Sequence, residues 1–208
     1  MKYIKEPVNA LTHLIAAIVA IPAILYLLIK AQSPLARVAF LIYGLSMIAL
    51  YLASGFYHML RVPAKTEEKL RKLDHSMIFI LIAGTYTPIC LMPMKGPWGY
   101  AMLIAVWILA AAGVTMKMFW MKAPRWLSTA LYLIMGWICL FALVPLIRAL
   151  STAAFLWLLS GGILYSIGAV IYGRKKCLVS WRLGFHEVFH IFIILGTVCQ
   201  YITMLLIL

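Results

Sequence analysis

The strongest constraint on this chain is a series of seven apolar runs with very little between them. They fall at about 11–29, 36–60, 74–93, 98–116, 126–147, 152–173 and 184–208. Each is near the ~20 residues that a tilted helix needs to cross a bilayer. No water reaches the hydrocarbon layer to satisfy a backbone, so runs of this kind read as helices. Charged residues are 11% of the 208, against about a quarter in a soluble domain. The expected fold class is therefore all-α integral membrane. One domain over residues 1–208 would form a seven-transmembrane helix bundle in the cell (plasma or inner) membrane.

Proline marks the breaks. Ser33-Pro34, Val62-Pro63, Gly96-Pro97 and Ala123-Pro124 lie between the runs, where a missing N–H costs little. Pro22, Pro88 and Pro145 fall inside runs or near their ends and are expected to kink them. The first run has no small-residue cleavage site, so it is expected to act as an uncleaved signal anchor. The longest connection by hydropathy runs from about Arg61 to Leu73, which leaves no room for a soluble catalytic or receptor domain.

A net charge of +13 raises the question of nucleic acid. The basic residues, however, alternate between connections instead of forming a tail or stripe. Fourteen of the 18 sit at the N-terminus and on the connections after spans two, four and six; Lys30, Arg37, Lys95 and Arg148 sit on the other side. That is the positive-inside pattern. It predicts a cytoplasmic N-terminus, a C-terminus outside and no nucleic-acid partner. Cys90, Cys139, Cys177 and Cys199 are scattered without a C-x-x-C and read as small apolar packing residues.

With five acids and five histidines, every titratable group can be placed. Glu67 and Glu68 lie among basic residues and read as a solvated face. The others, Glu6, His13, His58, Asp74, His75, His186, Glu187 and His190, lie at or near the ends of spans one, two, three and seven. With the expected orientation all fall in one layer near the cytoplasmic face. Ionisable groups inside a membrane are costly and mark functional sites by default. His186 and His190, four residues apart, share one helix face. His75 reads as a hydrogen-bonded interfacial group, and His13 fits either a structural or a functional role. For His58, His186 and His190 together a metal site is the better reading. Three imidazoles with an open fourth position are the pattern of catalytic zinc. Asp74 could then orient or deprotonate a water, and Ser54, one turn before His58, could hydrogen-bond within the site or to a substrate carbonyl.

His186-Glu187-Val188-Phe189-His190 also matches the H-E-x-x-H of zinc proteases, in which the glutamate is the base. Such enzymes take a third ligand from downstream. Here only Cys199 follows His190 among the possible ligands, so the third must come from upstream and the protease pattern breaks.

Several motifs occur in order along the chain: Glu6, Asn9, Thr12 and His13 at the start; Ser54, Tyr57 and His58 closing span two; Lys72, Asp74 and His75 opening span three. Gly84, Thr85, Thr87 and Pro88, then Met135-Gly136-Trp137, then the His186/His190 pair follow. In this order they resemble the hemolysin III family, relatives of the progestin and adipoQ receptors. The resemblance implies a seven-helix bundle with its N-terminus inside. It also implies zinc on the residues matching His58, His186 and His190, with Asp74 and Ser54 close by. The wider superfamily includes alkaline ceramidases, which implies hydrolysis of a lipid amide; the leading expectation is a zinc-dependent hydrolase with a lipid amide or ester of the membrane as substrate. The expected alternative is a sensor or lysis-associated membrane protein in which zinc is structural. Transport ranks last, because the outer half carries no acid.

Overall fold

The computed structural model describes residues 4–175 and 183–208; Cys177, and Lys2, Lys176 and Arg182 among the fourteen basic residues counted above, lie outside them. Among the described residues the regular structure is helical throughout. The helices are α1 (Pro7–Lys30), α2 (Pro34–Met59), α3 (Ala64–Leu91), α4 (Pro97–Phe119), α5 (Arg125–Trp137), α6 (Leu143–Ala149), α7 (Thr152–Arg174) and α8 (Phe185–Leu206). A short 3-10 stretch, Ile138–Ala142, joins α5 to α6, and the three together make the fifth of seven membrane spans. Large apolar side chains such as Ile18, Ile29, Phe119 and Phe141 point outward. In water such a surface would aggregate, whereas in a bilayer it is the solvated face.

Local signals set the helix starts. Pro34 and Pro97 occupy first-turn positions, where proline removes an N–H that has no helical partner in any case. Ser33 and Ser151 cap α2 and α7 by accepting from Ala36 and Ala154 N–H at 3.1 and 3.2 Å. Gly96 precedes α4 with φ of 145°, a region open to glycine.

One expectation from sequence needs correction. The Arg61–Leu73 segment is not a long connection, since α3 begins at Ala64. Its Lys, Glu, Arg and Leu residues are good helix formers, and hydropathy reports affinity for lipid rather than helicity. Glu67 and Glu68 keep the exposed face expected of them and are ion-paired on it. Glu67 pairs with Lys5 at 2.7 Å, and Glu68 with Lys72 at 3.1 Å one turn along. The expectation for Pro145 is met by an interruption rather than a bend. A proline cannot donate to the carbonyl four residues earlier and its ring crowds it. That residue is Phe141, inside the 3-10 stretch. Tyr86 of α3 spans the break: its hydroxyl donates to Gly136 C=O at 2.7 Å and accepts from Cys139 N–H at 3.2 Å. Backbone groups freed inside a membrane need such partners.

α1, α2 and α3 pack in sequence, α8 returns against α1 and α7, and α5 bridges α3 and α7. α3 touches α2, α4, α5 and α8 and so runs through the interior. Small residues let the helices approach, as membrane packing requires. At Gly55 of α2 a Cβ would meet Leu14 of α1 at 2.6 Å. Between α3, the fifth span, α7 and α8 lies a cavity of about 180 Å³.

Candidate metal centre

The C-terminal end of α2 and the N-terminal end of α8 meet at one end of the bundle. His58 lies in the last turn of α2, and His186 and His190 in the first two turns of α8. Their ring centroids are 4.9 Å (His58–His186), 5.0 Å (His58–His190) and 5.0 Å (His186–His190) apart. One ring nitrogen from each lies within 4.8 Å of the others. Two nitrogens on a tetrahedral zinc are separated by roughly 3.4 Å, so small side-chain rotations close the difference.

Burial makes this cluster informative. His58 and His190 are 1% exposed, and His58 Nε2 and His190 Nδ1 have no hydrogen-bond partner. Buried polar atoms are normally satisfied, and an unpartnered imidazole nitrogen beside two more imidazoles fits a cation. An all-imidazole donor set suits zinc, copper, nickel or iron over calcium or magnesium.

The sequence expectations fall into place unequally. Ser54 and Asp74 line the cavity together with His186 and His190. His13 is buried against the cluster, stacked on His190 at 3.8 Å and edge-on to Tyr51 at 5.1 Å, but it is not one of the three converging residues. His75 stands in the cavity wall, and its backbone carbonyl accepts from Tyr132 Oη at 3.0 Å. Glu187 turns away: its carboxylate folds back to Gly184, where a Cβ would meet Oε2 at 2.5 Å. It sits in the first turn of α8, where an acid favours the helix dipole. The metalloprotease arrangement is therefore not formed.

The residue missed from sequence is Glu6. Its Oε2 lies 2.8 Å from His58 Nδ1 and 2.8 Å from Asn9 Nδ2. Burial raises the pKa of the Glu6 carboxyl, but the Asn9 hydrogen bond and His58 outweigh it and hold the group below its usual range. Lys5 is raised: burial opposes its charge, and the Glu67 carboxylate more than offsets that. Glu6 stood among the groups at the ends of spans, yet nothing in the sequence pairs it with a residue 52 positions away.

The cavity is long, and its titratable groups gather at one end. It starts at His13, Asp74 and the α8 histidines and continues past Trp137 to Leu146 and Gln200. From His186 to Gln200 the helix rises roughly 21 Å. Its deeper wall is largely Leu, Ile and aromatic side chains.

A seven-span helical bundle whose buried end gathers three imidazoles beside an apolar cavity defines a class, that of multi-pass membrane proteins with a candidate metal centre built into the bundle. Within that class the chain belongs to the family described as Haemolysin-III related, whose model matches residues 1–201. It is 42% identical to the hemolysin-3 homolog of Bacillus subtilis (strain 168) over 207 residues, covering 97% of this chain and 94% of that one. It is 40% identical to hemolysin-3 of Bacillus cereus, covering 98% and 92% of the two chains. The monocyte to macrophage differentiation factor of Homo sapiens matches at 22% over 165 residues, 77% of this chain and 66% of that protein. No solved structure matches the chain.

Proposed function

We propose that this protein is a zinc-dependent hydrolase of lipid amides or esters, with its site near the cytoplasmic face of the cell membrane. The observation that carries this reading is the shared cavity. His186, His190, Asp74 and Ser54 open onto one apolar space long enough for an acyl chain. His58, His186 and His190 would hold the ion. Bound there, zinc supplies Lewis acidity toward a carbonyl oxygen and lowers the pKa of water to about 7. Asp74 takes a proton from the attacking water and returns it to the leaving group. Ser54 donates its one hydroxyl proton to the substrate carbonyl as charge develops there. The cavity wall holds the acyl chain and excludes bulk water from the polar end.

The test joins metal analysis to lipid turnover. Purified protein should carry about one zinc per chain, and lipid extracts from cells lacking the gene should accumulate one amide or ester lipid. The parent gene should reverse the accumulation, whereas Asp74→Asn should not. A mutant that turns the lipid over at the parental rate would remove Asp74 from the mechanism. The topology is checked by a periplasmic-type reporter fused after Leu208, which should be active.

The second reading, a lysis-associated or sensor protein with structural zinc, is favoured by one observation: the similar Bacillus proteins are named hemolysin-3. Loss of membrane integrity on overexpression, with no change in lipid composition, would support it over hydrolysis.

A further inference from the structure

The segment leading into α1 holds the end of α2 at several points, and Glu6 holds His58 twice. Glu6 N–H donates to the His58 carbonyl at 2.9 Å, and its side-chain Oε2 meets His58 Nδ1 at 2.8 Å. Asn9, one turn into α1, donates to the same oxygen at 2.8 Å. Lys5 adds a backbone bond to Met59 O at 3.2 Å, an ion pair with Glu67 at 2.7 Å and a cation–π contact with Tyr57 at 4.1 Å. Residues 5–9 thus strap the end of α2 to the start of α3. Glu6 stands at the N-cap of α1, yet its side chain makes no capping hydrogen bond. The carboxylate is committed to His58 and Asn9 instead.

That commitment has a chemical consequence. An imidazole that binds a metal offers one nitrogen, and the hydrogen bond made by the other decides which. A carboxylate oxygen only accepts, so Nδ1 of His58 is the donor. Nε2 is then the lone-pair nitrogen, and it is the buried His58 atom that has no partner. Among the described residues His186 and His190 have no carboxylate hydrogen bond. His58 is the ligand candidate whose tautomer and ring angle are fixed by an acid, and the acid comes from outside the membrane spans.

We infer that Glu6, held by Asn9, is the positioning residue of the metal centre, and that docking of the residue 5–9 strap and metal binding at His58 stabilise each other. This rests on the metal reading proposed above. Carboxylates that orient ligand histidines in this way change metal affinity by roughly 10–100-fold when removed. Reciprocity is required by linkage: whatever the strap adds to metal affinity, the metal adds to docking of the strap.

The test uses the full chain purified in detergent. Zinc affinity is measured by competition with a chelator, and the environment of the site by the visible spectrum after cobalt(II) substitution. Glu6→Ala should weaken zinc binding roughly 10–100-fold and shift the cobalt bands. Asn9→Ala should do so less, and Lys5→Met, which removes the Glu67 pair and leaves Glu6 in place, least. Zinc should also slow tryptic cleavage after Lys5 in the parent and not in Glu6→Ala. If Glu6→Ala does not fold, Glu6→Gln and Asn9→Ala carry the test, with weaker binding and shifted bands expected in both. A parent that binds zinc and loses it in His58→Ala, beside glutamate and asparagine variants with parental affinity and spectra, overturns this inference and leaves the metal centre standing. A parent that takes up no zinc overturns both.

Discussion

The two sides of the bundle are built differently. On the side of α2 and α3, buried residues make up 50% and 56% of the most apolar stretches; in the fifth span and α7 they make up 17% and 22%. The first side carries His58, Ser54 and Asp74 and meets the N-terminal strap. The second side supplies the broken span and much of the cavity wall. The first side thus lies inside the bundle, where its positions are fixed by neighbours all round, and the second turns more of its surface outward, toward lipid.

Substitutions can break or sharpen that contrast. The largest effect is expected for His190→Ala, which removes the α8 partner of His58: zinc in the purified protein should fall from about one per chain to near zero, read by mass spectrometry, because two imidazoles do not make a stable site. Retention of zinc would detach the metal from this cluster. Next comes Gly55→Ala, which places a methyl against Leu14 and should lower stability by about 1–3 kcal/mol in thermal unfolding in detergent. Tyr86→Phe should cost about 1–2 kcal/mol by the same measurement, since two backbone groups at the break lose their partner. If instead it costs nothing, the break does not depend on the phenol. The smallest effect belongs to Gly136→Ala on the outward-facing side, where a new Cβ meets nothing within 4 Å. It should stay within about 0.5 kcal/mol of the parent; a large loss there would erase the contrast.

Much of this architecture is legible in the sequence because the bilayer enforces a simple rule. Seven apolar runs give seven spans, and the histidine pair on α8 is visible from its spacing. His58 is recoverable because so few titratable groups exist in the chain. The start of α3 is not legible from hydropathy, since its first turns lie among charged residues that form helix without seeking lipid. Nor is the Glu6–His58 hydrogen bond: it joins two spans through a short segment, and periodicity within either helix says nothing about it. Pro145 announces a disturbance, but the sequence alone does not say that Tyr86, from another span, would cover the exposed backbone groups.

The three converging histidines come from the second span and from α8, the seventh span, which is synthesised after the other six spans. A ribosome-bound chain therefore holds one of these imidazoles through most of its insertion and gains the other two together, in the final helix. Metal capture would then mark the moment when the bundle closes, and a chain stalled before α8 would lack the means to keep the ion. For a membrane protein whose outer surface reveals little about its interior, tightly held zinc would serve as a readout of completed assembly.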